Sequence, residues 1–478
     1  MTYNPVDGLI VVVKRDCPTC ALVVPVLDEL ARGAPPLTVY VQDSPEFAAG
    51  LPGGAYDASL EHSWRLDIEI VPTLIRVQAG QVIDRCIGWH RGEWERVSGL
   101  RSLGAGLPDT RPGCGSKTQE PGMAEELGVR FGDIRLASRQ IELGSGEDEI
   151  EACFERGWSD GLPVVPPTPV RVARMLAGTS RRSDEVLGLM PPDLVPCTVE
   201  KVAINAVMAG AKPEYMPVLL AAIEAALQPK FNMHGLLCTT HFAAPMVIVN
   251  GPAAQAIGMN SAGNVLGQGN RANATIGRTL QLVVRNVGGG RPGEIDMACL
   301  GNSGKYTSCF AESPNSTWEP LSVQRGIAAG RSAVTLFAAA GMLGIMDQKS
   351  RDPESLSRSY ASAMLAVDHP KSTGKADVLL VISPEHARVF LDARWSKAHL
   401  IERLHELTII DGDSLVPGAG GIAEGDPSAA GRQVPKFRPE GILVVRAGGG
   451  AGMMTAIIPS WPATGERGSM PATQEIAS

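Results

Sequence analysis

The 478-residue chain of 50.3 kDa is long enough for about three domains of ~150 residues, or for a small domain followed by a large one. Hydrophobic residues make up 44% and charged residues 20%, with 54 glycines and 36 prolines, which is typical of a compact, loop-rich globular protein and argues against a helix-only fold. The net charge of −8 provides no basic field for nucleic-acid phosphates or anionic lipid, so we expect neither partner.

The start of the chain and its cysteines indicate the compartment. No apolar run approaches the roughly 20 residues that a membrane helix needs, and an acid and a proline stand where a signal peptide has basic residues. Nine cysteines, an odd number, are scattered along the chain, unlike the pattern of a disulfide-stapled secreted domain. We therefore expect a cytoplasmic protein.

Cys17 and Cys20 stand apart as a close pair. Residues 9–13 (LIVVV) predict a buried parallel strand, and the chain then turns into Cys17-Pro-Thr-Cys20 and an apolar-periodic helix. At a helix start Cys17 faces free amide groups and the positive end of the helix dipole, which both favour its thiolate. Cys20, one turn further, can resolve a mixed disulfide. The spacing predicts dithiol chemistry.

Further predicted strands at 38–41, 70–77 and 82–87 complete an order that resembles a thioredoxin-like fold over residues 5–103. The resemblance implies that Pro72 is a cis proline beside the dithiol, that Cys17 is the attacking cysteine and that Cys20 resolves. Asp16 replaces the aromatic residue usual in that family, and its charge should oppose thiolate formation at Cys17. Half of a zinc site is the alternative, but Cys86, His62 and His90 supply no second close ligand pair.

Residues 104–122 are rich in Gly, Pro, Ser and Thr and predict a linker, so we divide the chain into a thioredoxin-like domain (1–103), a connector (104–146) and a large α/β domain (147–478) that could contain two subdomains. The linker carries Cys114 between two glycines, near Arg111 and Lys117. Such surroundings suit a reactive thiolate. A surface cysteine on a flexible tether is the alternative.

Three apolar strands near 245–249, 377–382 and 441–447 end in glycine or proline loops, which predicts an α/β sheet with a crevice at its strand ends. The glycine-rich loop 263–278 leads into a helix and predicts an anion site, with Asn270, Arg271, Asn273 and Arg278 as candidate substrate-binding residues. Its spacing is not that of a dinucleotide or P-loop motif. A structural crossing of helix and sheet is the alternative.

Asp160, in an Asp-Gly pair, either caps a turn, which we favour, or helps to bind substrate. His234, Cys238 and His241 are weak metal-ligand candidates, since Gly235 and the threonines at 239 and 240 favour a strand on which His241 points away.

The stretch from Lys305 to Glu312 concentrates reactive groups. On a strand, Lys305 would share a face with Cys309, which would then be a candidate nucleophile, and Glu312 adds a carboxylate. A half-buried strand with a packed cysteine is the alternative.

The strings RPGCGSKT, GWSDGLPVVPPT, GQGNRANATIGR, CFAE and AGGGAG resemble a family of largely uncharacterised bacterial proteins, some with a thioredoxin-like domain in front. The resemblance runs from about residue 111 to the end and implies an architecture without an activity.

Together the patterns predict a thiol-dependent oxidoreductase with a redox-active disulfide, in which Cys17 and Cys20 exchange with a large-domain cysteine, Cys114 ahead of Cys309, that acts on a small anionic substrate. A lyase or hydrolase in the large domain, with or without a metal, and a non-enzymatic redox sensor are the alternatives. Further cofactors and homo-oligomerisation are left open.

Overall fold

The computed structural model describes residues 3–33, 35–132, 136–368, 373–417, 424–462 and 468–477, and the chain divides into two compact units, Met1–Arg135 and Leu136–Ser478. Both units combine helices with β-strands, and the sheets contain parallel and antiparallel pairs. The predicted α/β class is thereby confirmed. Among the described helices none is both long and apolar enough to cross a membrane.

The first unit contains, in chain order, β1 (Gly8–Val13), α1 (Pro18–Ala31), β2 (Leu37–Val41), α2 (Pro45–Ala49), β3 (Gly54–Tyr56), α3 (Glu61–Arg65), β4 (Ile70–Val71), β5 (Thr73–Gln78), β6 (Gln81–Ile87), β7 (Trp89–His90), α4 (Arg91–Ser98), β8 (Thr110–Arg111), β9 (Cys114–Gly115) and α5 (Met123–Phe131). Its five-stranded sheet has the order β3-β2-β1-β5-β6, and the central β1 pairs parallel with β2 and antiparallel with β5.

The strand predicted over 70–77 is interrupted at Pro72, which separates β4 from β5. Proline has no N–H to continue a ladder, and the Val71–Pro72 peptide bond is cis in the structure. The Pro72 carbonyl accepts a 2.7 Å hydrogen bond from the Gly88 amide. The strands predicted at 9–13, 38–41 and 82–87 are confirmed as β1, β2 and β6. The family resemblance itself stays a prediction.

The second unit contains α6 (Glu149–Glu155), α7 (Pro169–Leu176), β10 (Val186–Met190), β11 (Val195–Thr198), α8 (Val199–Ala209), α9 (Met216–Leu227), α10 (Met233–Cys238), β12 (Ala244–Asn250), α11 (Pro252–Ala256), α12 (Arg271–Asn286), β13 (Cys309–Ala311), α13 (Leu321–Gln324), β14 (Ala333–Ala339), β15 (Leu343–Met346), α14 (Pro353–Ala366), β16 (Ala376–Ile382), α15 (Pro384–Asp392), α16 (Lys397–Leu407), β17 (Ile409–Asp411), β18 (Gln433–Pro435), β19 (Phe437–Arg446), β20 (Met454–Pro459) and β21 (Ala472–Glu475).

Two four-stranded sheets of this unit, β13-β12-β14-β21 and β15-β20-β16-β19, pack against each other. Side chains alternate along each strand: Ile248 of β12 and Leu379 of β16 share the core between the sheets. Val247 instead packs with helices α8, α9 and α12, and Leu380 packs with α14, α15 and α16. The second unit is therefore layered helix, sheet, sheet, helix.

The three apolar strands that predicted one sheet lie in two, because β12 belongs to the first sheet whereas β16 and β19 are parallel neighbours in the second. Their loops nevertheless meet. The Ser313 amide, just beyond β13, donates to the carbonyl of Arg446 at the end of β19, and Gly448 donates to Ser261. An apolar strand can be buried equally well in one sheet or in either of two packed sheets. The hydrophobic pattern of the sequence therefore does not predict whether the three strands share a sheet.

Candidate functional site

The redox pair is built by the start of helix α1. Cys17 caps the helix, and its Sγ accepts a 3.3 Å hydrogen bond from the Cys20 amide. Pro18 occupies the first helical position, where no N–H is needed. Both cysteines are buried, Cys17 with 2% of its surface exposed and Cys20 with none. The predicted placement of the pair on a helix start is confirmed.

Residues 110–118, which we name the docked segment, lie along the first unit instead of forming a free tether. Arg111 pairs with Trp89 between β8 and β7, and Cys114 pairs antiparallel with Val71, the residue before Pro72. The Thr19 hydroxyl donates a 2.7 Å hydrogen bond to the Pro112 carbonyl. This part of the predicted linker is ordered because its backbone groups find partners.

Close approach of the docked segment to β4 depends on Gly113. A Cβ at that position would lie 2.4 Å from the Ile70 side chain and 2.7 Å from the Val71 carbonyl oxygen. Further along, the buried Gln42 donates a 2.7 Å hydrogen bond to the Ser116 hydroxyl and accepts one from the amide of Lys117. Cys114 is thus held on both sides.

Cys114 completes a cluster of three thiols. Its Sγ lies 2.9 Å from the Sγ of Cys17, and all three cysteines are free thiols. Burial opposes ionisation of Cys17, but hydrogen bonds from the thiols of Cys114 and Cys20 outweigh it and hold the pKa of Cys17 below its ordinary value. The expected opposing effect of Asp16 does not prevent this.

The other two thiols have pKa values above the ordinary one. Burial raises the pKa of Cys20, and burial together with the hydrogen bond to Cys17 raises the pKa of Cys114. Burial and the neighbouring Cys17 thus act against the Cys114 thiolate that Arg111 and Lys117 were expected to favour. The cluster thus combines one thiol of lowered pKa, Cys17, with two of raised pKa, Cys20 and Cys114.

The zinc alternative finds no second ligand pair here. His62 stacks on Tyr40 with ring centroids 4.1 Å apart and bonds the Tyr3 hydroxyl. Within the described ranges, no group of three or more His, Cys, Asp or Glu side chains is placed to hold a metal ion.

Cys309 begins strand β13, where it is buried against Gly277 of α12, and burial raises its pKa. Lys305 lies in a 3-10 helix over Ser303–Lys305 and pairs with Asp296. The expected shared strand face of Lys305 and Cys309 is therefore wrong, because the strand starts only at Cys309. Because Lys305 is paired with Asp296, it does not activate the thiol of Cys309.

Glu312 lies at the end of β13 in a buried polar cluster. It forms an ion pair with Lys397 at 3.3 Å and accepts hydrogen bonds from the Asn250 side chain at 2.6 Å and the Leu321 amide at 2.8 Å. Asn250 and Glu312 also line a cavity of about 230 Å³ at the strand ends. Of the three strands whose ends were expected to form one crevice, only β12 contributes residues to this cavity.

The candidate anion-binding residues contact the protein itself. Asn270 caps α12, and Asn273 exchanges hydrogen bonds with the Asn260 backbone. Arg271 donates to the Gly210 carbonyl. The contacts of the glycine-rich loop are thus those expected of the alternative, a structural crossing of helix and sheet.

Arg278 and Asp160 form a bidentate ion pair with two 2.8 Å contacts, and Arg278 also donates to the carbonyls of Leu162 and Pro163. Asp160 in turn accepts from the Leu162 amide at 3.2 Å, which is the turn-capping role. Both side chains are thereby committed to holding the 159–163 turn against α12.

His234 and Cys238 lie on helix α10, so the expected strand is wrong. The step of four brings these two exposed side chains to one helix face. His241 follows the helix, stacks on Phe242 and accepts from the Ala243 amide.

No family model matches the chain, and no curated protein matches it significantly. Sequence reasoning missed Thr19 and Gln42, which hold the docked segment. Thr19 had a weak signal, since it lies inside the CxxC motif, whereas nothing marked Gln42.

Proposed function

We propose that the chain is a thiol-dependent oxidoreductase in which the Cys17–Cys20 dithiol exchanges with Cys114, and that Cys114 acts on a small anionic substrate. The 2.9 Å separation between the sulfur atoms of Cys17 and Cys114 carries the proposal. The positive charge of Lys14 acts to lower the pKa of Cys114. Together with Arg111 and Lys117 of the docked segment, this charge supports a substrate that is an anion. Cys114 belongs to the first unit and not to the large one.

The exchange begins when Cys114 loses its proton and attacks a small disulfide R–S–S–R, which forms Cys114–S–S–R and releases R–S⁻ that takes up the proton as R–SH. The Cys17 thiolate attacks the Cys114 sulfur, and R–S⁻ leaves and takes up a proton. Cys20 then loses its proton and attacks Cys17, which releases Cys114 and leaves a Cys17–Cys20 disulfide. One R–S–S–R has been reduced to two R–SH by the two electrons of the dithiol, and an external dithiol restores the pair.

Cys114 is a better exchange partner than Cys309 because it is partly exposed and within contact of Cys17. Cys309 is buried in the second unit. The pKa of both thiols is raised, so accessibility distinguishes them, and a covered thiol reacts slowly. The lyase or hydrolase alternative loses support since Asp160, Lys305 and Glu312 each have a separate ion-pair partner.

The test is the Cys20→Ser variant treated with one equivalent of oxidised glutathione, an anionic disulfide. Loss of the resolving thiol should trap Cys17 with Cys114, and mass spectrometry after non-reducing trypsin digestion should join peptide 16–32 to peptide 102–117. Cys153→Ser in the same treatment serves as the control and should form the Cys17–Cys20 disulfide. A Cys17 joined only to glutathione, or to the Cys309 peptide, would contradict the proposal.

A further inference from the structure

A cavity of about 850 Å³ lies wholly in the second unit. Helices α6, α8 and α12 and the segment 136–143 surround it. Trp158, Ile204 and Met208 give it apolar walls. Small-molecule sites of roughly 300–1,000 Å³ are typically of this kind, with apolar walls and a few placed polar groups.

The cavity is lined by four arginines, Arg139, Arg156, Arg285 and Arg291. Arg285 donates a 3.3 Å hydrogen bond to the Gly157 carbonyl, whereas the Nε of Arg291 is buried without a partner. In the part of the chain that the structure describes, neither has a carboxylate within 4 Å. A buried donor without a partner costs about 1–3 kcal/mol, which a bound acceptor would recover.

The positive charges of Arg285 and Arg291 also act on each other. Burial and the charge of Arg291 hold the pKa of Arg285 below its ordinary value, although Asp160 and Glu294 act in the opposite direction. Asp160 is already paired with Arg278. An anion close to Arg285 and Arg291 would relieve this repulsion, although the lining as a whole also carries the carboxylates of Glu142, Glu149, Asp193, Glu200 and Glu294.

A further polar atom in the cavity lacks a partner. The side-chain nitrogen of Asn286 donates to the Trp158 carbonyl and to Asn205, but its Oδ1 is buried with no hydrogen bond. Glu200, which also lines the cavity, accepts from the backbone amides of residues 137 and 138. The buried polar atoms of this wall without a partner are thus the Nε of Arg291 and the Oδ1 of Asn286.

We propose that this cavity binds a small amphipathic anion, with a carboxylate or phosphate group between Arg285 and Arg291 and an apolar body along Trp158, Ile204 and Met208. The shared chemistry is an anionic head group on an apolar chain. The proposal does not rest on thiol exchange, because its residues lie outside the thiol cluster.

The test uses isothermal titration calorimetry of the full chain with octanoate, octyl phosphate and the uncharged octanamide. We expect one of the two anions to bind at least about tenfold more tightly than octanamide, and the tighter anion identifies the head group. Arg291→Met should weaken anion binding by roughly tenfold to a hundredfold, since a charge-assisted hydrogen bond is lost. Arg388→Met, an exposed arginine on α15, is the matched control and should leave binding unchanged.

Thermal denaturation checks that each variant is folded, and Arg291→Lys, which keeps the charge, provides a second variant. It should bind the anion more tightly than Arg291→Met. Equal binding of octanamide and the anions, an equal loss in Arg388→Met, or no binding of either anion would overturn the proposal.

Discussion

The hydroxyl of Thr19 donates a 2.7 Å hydrogen bond to the carbonyl of Pro112, two residues before Cys114. Thr19 lies between Cys17 and Cys20 on the first turn of α1, so this contact ties the redox helix to the strand that carries the third thiol. The inner residue of the CxxC motif therefore positions Cys114.

Replacing Thr19 with valine keeps the side-chain shape and removes this hydrogen bond. A hydrogen bond of this kind contributes about 0.5–1.5 kcal/mol, so we expect roughly a two- to tenfold loss of Cys17–Cys114 disulfide in the Cys20→Ser background. Quantitative mass spectrometry of the joined peptides measures it. Thr110→Val, an exposed position of the same segment, should have no effect. An equal loss in both variants would mean that the whole segment has been disturbed.

The ionisation of Cys17 depends on the thiol of Cys114 as a hydrogen-bond donor. Because a donor stabilises the thiolate, Cys114→Ala should shift the pH of half-maximal alkylation of Cys17 by iodoacetamide upward. Cys114→Ser, which keeps a donor, should shift it less. The midpoint is compared and not the plateau rate, since removing the Cys114 side chain also opens access to Cys17. An unchanged or lower midpoint in Cys114→Ala would contradict this account.

Lys397 and Glu312 form an ion pair whose side chains are only 2% and 3% exposed. Removing the cation leaves a buried carboxylate, so Lys397→Met should destabilise the second unit by about 3–5 kcal/mol, measured by urea unfolding. Adding Glu312→Gln should restore part of the loss. Arg182, paired with Asp184 at the surface, is the control, and Arg182→Met should leave the unfolding midpoint in place.

Gly277 lets helix α12 approach the chain before β13. A Cβ there would lie 2.6 Å from the Thr307 hydroxyl and 2.7 Å from the Ser308 amide nitrogen. The overpacking should make Gly277→Ala less stable by about 1–3 kcal/mol, despite the better helix propensity of alanine. Gly128, on α5, has open space at this position, and Gly128→Ala should be neutral or stabilising. Thermal denaturation that lowers both variants alike would argue against the steric cause.

Local patterns in the sequence determined the first redox elements. The β-branched run that forms β1, the proline that opens α1 and the spacing of Cys17 and Cys20 act within a few residues of one another. The helix cap that places Cys17 at the start of α1 is likewise local. These features could be predicted because neighbouring residues alone specify them.

Only the tertiary structure determined what surrounds Cys114 and which partners the charged candidate residues have. A glycine-rich sequence is compatible both with a free tether and with a docked strand. Only the strand pairing with β4 and β7 shows that this segment is docked. The sequence allowed Arg278 to bind an anion, but in the structure its guanidinium group is paired with Asp160, 118 residues earlier in the chain. Backbone groups and charged side chains pair with residues that the fold places next to them. The spacing of residues along the sequence does not reveal which distant residues become neighbours.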